Sequence, residues 1–171
     1  MTKKVGSLDS HGSPVIRREV VTNSITIAEL DSVKLASGFV ALGTTGALVF
    51  GHVMSISDKN QVGLNTTGAA GAAMGSYVGT YATASDNQTV KFVTADCDVS
   101  KTSLYSMTPD ATLGTTTGSN LAGYTQDLLD EDQLDESSAL TTTGQYMSYG
   151  VDPSDSANVI VNVYESQVFG V

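Results

Sequence analysis

The side chains best suited to nucleophilic or acid–base work in this chain are His11, His52 and Cys97, its only histidines and its only cysteine. A hydrolytic triad needs an imidazole within reach of both a nucleophile and an orienting carboxylate. His11 sits among the breakers Gly6, Gly12 and Pro14, which hold no fixed geometry, and His52 alternates within an apolar run, where it reads as a satisfied structural or a surface histidine rather than a base. Cys97 stands between Asp96 and Asp98, whose charge disfavours a thiolate, so an inert thiol is expected. A single cysteine also excludes an internal disulfide or a multi-thiolate metal site. Gly68, Gly71 and Gly75 lack the following Lys and Ser or Thr of a phosphate-binding loop, since Met74, Gly75 and Ser76 stand there instead. The run Asp127, Asp130, Glu131, Asp132, Asp135 and Glu136 offers carboxylates to Ca²⁺ but lacks the alternating spacing and loop glycine of a calcium loop, so a solvated acidic face is the simpler reading. Without tryptophan there is no obvious sugar platform for a carboxylate pair to work on. The expectation is no enzyme, no catalytic residues, no cofactor, no metal and no small-molecule substrate.

The elements that carry these residues are suggested by composition. The chain has 171 residues, 40% hydrophobic but only 15% charged, with 17 glycines and many Thr, Ser and Ala, the signature of short strands and turns rather than a helical bundle. Its net charge of −10 argues against a general affinity for nucleic acid. Residues 1–18 nevertheless carry a net +3 through Lys3, Lys4, Arg17 and Arg18 against Asp9, which leaves −13 for the remainder. No apolar stretch follows Lys3 and Lys4, so a secretory signal is not expected and synthesis in the cytoplasm is. Residues 35–57 contain no charge, but four glycines, two threonines and His52 interrupt them, which fits strand, turn, strand and not a membrane span.

Along the chain, residues 1–24 read as an extended arm that needs a partner to become ordered, and 25–171 as a single β-rich domain. Short apolar runs from Ile25 to Ile56, separated by Asp31-Ser32, Ser37-Gly38 and Thr44-Thr45-Gly46, predict a tight meander. Residues 58–76 read as a long loop of small residues, 77–93 as a hairpin, and 104–107 as a strand ending at Pro109-Asp110. Residues 111–123 are expected to cross between layers. Gln126 to Glu136, with Leu128, Leu129 and Leu134, is the one place where a helical turn is expected. A turn at Asp152-Pro153-Ser154-Asp155 precedes a core strand through Val159, Ile160, Val161 and Val163. Short strands at such regular spacing predict a small β-sandwich or β-barrel with little helix.

The order of segments adds to this. The stretch SITIAELDSVKLASGFVALGTTGALVFGHVMSI, residues 24–56, resembles the opening of the small β-rich decoration, or head-stabilising, proteins of tailed-bacteriophage capsids. There a strand leads to an acidic turn, here Glu29-Leu30-Asp31, then to Ser32-Val33-Lys34-Leu35, a Gly turn, and a strand ending Gly51-His52-Val53. Where that family carries Gly-Asp, this chain has Leu30-Asp31. The segments YVGTYATASDNQTVKFVTAD, LYSMTPDATL, LAGYTQDL and YGVDPSDSANVIVNV follow in a similar order, so the likeness spans about residues 24–165. It implies a β-tulip-like, non-enzymatic protein on the outer surface of an icosahedral head. Such proteins are often trimers, and they hold neighbouring subunits of the major capsid protein together. Neither membrane nor nucleic acid is an expected partner. In such proteins an N-terminal arm often makes the shell contacts, and Lys3, Lys4, Val15, Ile16, Arg17 and Arg18 are the candidates, because an exposed Val-Ile pair beside two arginines is an odd thing to leave in water. Two other readings stand beside it. One is a tail-tube or head-completion subunit that forms rings. The other is a carbohydrate-binding module using Tyr77, Tyr81, Tyr105, Tyr146 and Tyr149 as its platform.

Overall fold

A computed structural model describes residues 2–8, 13–22, 25–57, 77–78, 94–110, 122–140 and 144–164, and it is all-β, with no helix among them. His11, Gly68, Gly71, Gly75, Tyr81, the loop at 58–76, most of the hairpin at 77–93 and the crossing at 111–121 lie outside the described residues.

Two sheets form. The first takes β2 (Ile16–Val20), β4 (Ser32–Ala36), β5 (Phe39–Leu42), β6 (Gly51–Ser57) and β8 (Thr94–Asp98) in the order β2-β8-β6-β4-β5. A parallel bridge between Val21 and Val40, with the Thr22 N–H donating to the Val40 carbonyl at 2.7 Å, brings its two ends together. The second takes β1 (Lys3–Ser7), β9 (Ser103–Pro109), β10 (Thr125–Asp130), β11 (Gln133–Leu140), β12 (Tyr146–Asp152) and β13 (Asp155–Val163) in the order β1-β9-β11-β10-β12-β13. Here β13 also pairs with β9, so the strands from β9 to β13 close into a ring, and β1 pairs with β9 over Ser103–Ser106, just before the β9 residues that pair with β11. A two-stranded ribbon of β3 (Thr26–Ile27) and β7 (Tyr77–Val78) completes the set.

Each sheet encloses its own apolar core, the first built on Val33, Phe50, Val53 and Cys97, the second on Met107, Leu128, Leu134 and Val161. Successive side chains of an extended chain point to opposite sides. Val49 therefore enters the second core and Phe50 the first, where the chain passes between the two barrels.

Local chemistry sets the turns. The β4–β5 hairpin closes through Ser37 (φ 51°) and Gly38 (φ 84°), two left-handed residues that match the twist of the strands they join. Asp152-Pro153-Ser154-Asp155 makes the β12–β13 hairpin, with Asp152 paired to Asp155. The expected meander differs in one respect, because β6 returns to the far side of β4 instead of pairing with β5.

The helical turn expected at 126–136 is instead the β10–β11 hairpin, with Leu128 opposite Leu134 and Asp127 opposite Asp135. Leu128 and Leu134 are an even number of residues apart across a tight turn, so both point into the core of a strand pair. The neighbouring Leu129 is 46% exposed, and its presence is what imitated a helical stripe.

Gln126 points into the second core opposite Tyr146, and neither of its side-chain polar atoms has a hydrogen-bond partner. A buried, unpaired amide costs about 1–3 kcal/mol. Gln126→Met, which keeps the shape and removes the polar atoms, should therefore stabilise the protein by about 1–2 kcal/mol, raising the urea midpoint with an unchanged slope of unfolding free energy against urea. An unchanged or lower midpoint would count against an unpaired amide.

Candidate functional site

Two constellations are available for function, one at the junction of the barrels and one on their N-terminal edge strands.

The junction holds the residues that looked most like chemistry. Gly51 lies against the Asp98 carbonyl where any Cβ would collide, so β6 and β8 approach closely beside His52. The His52 ring stacks on Tyr105 with centroids 3.7 Å apart and meets Tyr146 edge-on. Its Nδ1 lies 3.0 Å from the Leu30 carbonyl oxygen, which can only accept, so Nδ1 carries the proton. Nε2 is then the acceptor, 2.9 Å from the Tyr146 hydroxyl, which also lies 2.8 Å from Ser32 Oγ. Complete burial pushes the His52 pKa down to about 4, against the opposing pull of the Leu30 carbonyl, so the ring is neutral at ordinary pH.

Asp98 lies beside this group without touching His52 through any hydrogen bond described. Its Oδ2 accepts from Lys4 Nζ at 2.6 Å, Ser103 Oγ at 2.6 Å and the Tyr105 hydroxyl at 2.9 Å, and Oδ1 accepts the Ser100 N–H at 3.0 Å. Burial alone would raise its pKa, but the bonds from Lys4, Ser103 and Ser100 outweigh that and hold it below the usual carboxylate value. Such a network can clasp two barrels together. It has no face open to a substrate, because His52 is 0% and Asp98 1% exposed. Cys97 is likewise buried, and burial with the charges of Asp96, Glu19 and Asp98 pushes its thiol up to about 12.

A second contact between the barrels joins two acidic turns. The Ser32 N–H donates to the Glu131 carbonyl at 2.7 Å, and Asp31 takes the Ala28 N–H at 2.7 Å. Burial pushes Asp31 up to about 7, the Ala28 bond opposes this, and repulsion from Glu131, Asp132 and Asp130 adds to it. Between these residues Leu30 adopts φ 70°, a conformation costly for a branched side chain, while that side chain packs on the second core. Because Asp31 has a higher pKa folded than unfolded, its contribution to stability is complete below the unfolded value and is lost as pH rises through about 7. Asp31→Asn should thus be more stable than the wild type at pH 8, by up to about 4 kcal/mol, with the gain shrinking toward pH 4. Urea titrations at the two pH values test it, and equal gains at both would refute the assignment.

Among the described residues no group of three or more His, Cys, Asp or Glu side chains is placed to hold a metal ion, including the described part of the acidic run at 127–136. No described helix is long and apolar enough to cross a membrane, and the uncharged stretch at 35–57 includes β5, β6 and the end of β4, Leu35 and Ala36.

The six residues expected in a free arm lie in or beside strands of the body. Residues 3–7 pair with β9 and residues 16–20 with β8, so the partner that orders these segments is the chain itself. Lys3 bonds Ser154 at 3.0 Å and lies 3.2 Å from Asp152, Lys4 is spent on Asp98, and Arg18 grips Asp96 with Nε and Nη2 at 2.6 and 2.7 Å. The hydrogen bond and charge of Asp96 raise the Arg18 pKa, and Arg18 in turn lowers that of Asp96. Val15 and Ile16 remain outside, 51% and 46% exposed. Arg17 is half exposed, with a 3.5 Å contact to Glu19 and its guanidinium 5.8 Å from the centre of the Phe50 ring. The acidic partners of Lys3, Lys4 and Arg18 are Asp152, Asp98 and Asp96, 78 or more residues away in the chain, which is why local charge counting suggested a free basic segment.

Of the tyrosines in the sugar-platform reading, Tyr105 and Tyr146 are fully buried in the junction and present no face to a glycan, whereas Tyr149 is 44% exposed. The sequence reading overlooked Asp98 and Ser32 as members of the junction. Their signal is weak, a charged or polar residue in an otherwise apolar strand. Comparison with protein-family models, with characterised proteins and with solved structures finds no match.

Proposed function

We propose that the chain is a non-enzymatic decoration protein on the outer surface of a tailed-bacteriophage head, where it joins neighbouring subunits of the major capsid protein. The observation that carries the reading is the edge of β2, where Val15, Ile16 and Arg17 are left exposed together on a body of net charge −10. Apolar residues displayed beside a cation on a sheet edge suit attachment to a larger assembly. The sealed junction supports the same reading, since its histidine, carboxylate and hydroxyls are spent on holding the two barrels rather than on a substrate. Each copy, as a trimer, would bridge several shell subunits, so that modest contacts add by multivalency.

Electron microscopy of virions from the source, labelled with gold-conjugated antibody against this chain, tests the reading. Saturable label over the head is the expected result. Label confined to the tail would replace it with a ring-forming tail subunit, and absence of label would overturn it.

A further inference from the structure

Resting on that reading, we propose that the outer edge of β2 accepts an extended strand from the shell subunit, with an acidic side chain of that strand facing Arg17. Among the described residues β2 is outermost in the sheet order and pairs with β8 alone along residues 16–20. The direction of its backbone groups follows from two bonds. The Val15 carbonyl accepts the Val99 N–H on the β8 side, whereas the Thr22 N–H donates to Val40 on the opposite side. Peptide groups alternate along a strand. Residues 15, 17 and 19 therefore turn toward β8, and Ile16 and Arg18 turn their N–H and C=O groups outward. Beyond Val20 the edge is closed by β5, so the open stretch is centred on 16–18.

Side chains set what fits there. Arg18 lies over Asp96 and Ser55 takes the same carboxylate, so Arg18 is already spent. Arg17 is half exposed, and among the described residues it has a 3.5 Å contact with Glu19 and lies 5.8 Å from the centre of the Phe50 ring, with no carboxylate held as closely as Arg18 holds Asp96. Val15 and Ile16 flank it with apolar surface. A complementary strand carries a carboxylate opposite Arg17 and apolar residues opposite Val15 and Ile16. Main-chain bonds then supply affinity, and the Arg17 pair supplies register. Elsewhere the acidic body would repel an acidic strand, which confines it to this edge.

The experiment uses heads of the source virus stripped of this protein, with the full-length chain added back and bound copies counted by quantitative electrophoresis. Ile16→Pro removes an outward N–H that β8 does not use, and proline is tolerated at such an edge position. It should bind at least about tenfold more weakly while its melting temperature stays within a few degrees. Arg17→Glu changes no backbone group and should weaken binding to a similar degree, flattening the salt dependence. If Ile16→Pro fails to fold, Arg17→Glu decides. Wild-type affinity in both variants overturns the strand-addition site while leaving the decoration reading intact. Failure of the wild-type chain to bind the heads overturns both.

Discussion

Asp98→Ala should lose about 3–5 kcal/mol of folding stability, the largest single-residue loss of charge expected in this protein, and should lower the melting temperature by about 10 °C or more. Asp98 lies on β8 of the first barrel, while Ser103 and Tyr105 lie on β9 and Lys4 on β1 of the second. Removing its carboxylate strands two buried hydroxyls and the Ser100 N–H and frees Lys4, which is one-quarter exposed and can turn to water. Lys4→Met leaves the opposite defect, a buried carboxylate with its hydroxyl donors but no cation. In a double-mutant cycle the two losses should fall short of additive by more than about 1 kcal/mol. Independent, additive losses would show that the clasp is not a unit. The pH dependence has a definite sign. A carboxyl held below its unfolded pKa contributes stability at neutral pH that is lost as pH falls through the folded value. The lowered values of Asp98, Asp96 and Asp152 therefore make the wild type acid-labile, and Asp98→Ala should be less so.

The strands were legible in the sequence where alternation and turn chemistry agreed. The hairpin at Ser37-Gly38, the turn at Pro153-Ser154 and the core run from Val159 to Val163 all lie where apolar spacing and backbone preference put them. The β10–β11 hairpin was misread because Leu128 and Leu129 adjoin among acids, and adjacent leucines satisfy a helix as readily as a strand. Strand order carried no local signal. The pairing of β1 with β9 and of β2 with β8 joins residues about 80 to 100 apart in the chain, so nothing near Lys4 or Arg18 announced Asp98 or Asp96. The inert reading of Cys97 depended only on neighbours in sequence, and burial supplied the larger cause. For His52 the alternation left a structural or a surface ring open, and the burial that decides it comes from Leu30, Tyr105 and Tyr146, which lie on other turns and strands that meet only in three dimensions.

His52→Ala should cost about 3–5 kcal/mol, from the cavity beneath Tyr105 together with the loss of partners for the Leu30 carbonyl and the Tyr146 hydroxyl. His52→Phe keeps the stacked ring and loses only the polar part, so a smaller cost of about 2–3 kcal/mol is expected. Its value lies in pH. The folded pKa of His52, about 4, is below its ordinary 6.5, so across that interval the unfolded chain binds the extra proton and stability falls as the solution is acidified. Asp31 acts oppositely, because between its ordinary 3.8 and about 7 the folded chain holds the proton and stability falls as pH rises. Each contributes a slope of about 1.4 kcal/mol per pH unit, and from about pH 4 to 6.5 they cancel. The wild type should therefore show a nearly level stability there. His52→Phe should unmask stability that declines with rising pH, and Asp31→Asn stability that increases with it. Urea midpoints measured at half-unit intervals would show the two slopes, and parallel curves for the wild type and both variants would refute the opposed pair. The cancellation follows from the architecture. The turn at 28–31 carries Asp31 toward one acidic turn and presents the Leu30 carbonyl to His52 on β6, so the two compensating groups meet at the same short turn, Asp31 within it and His52 against it.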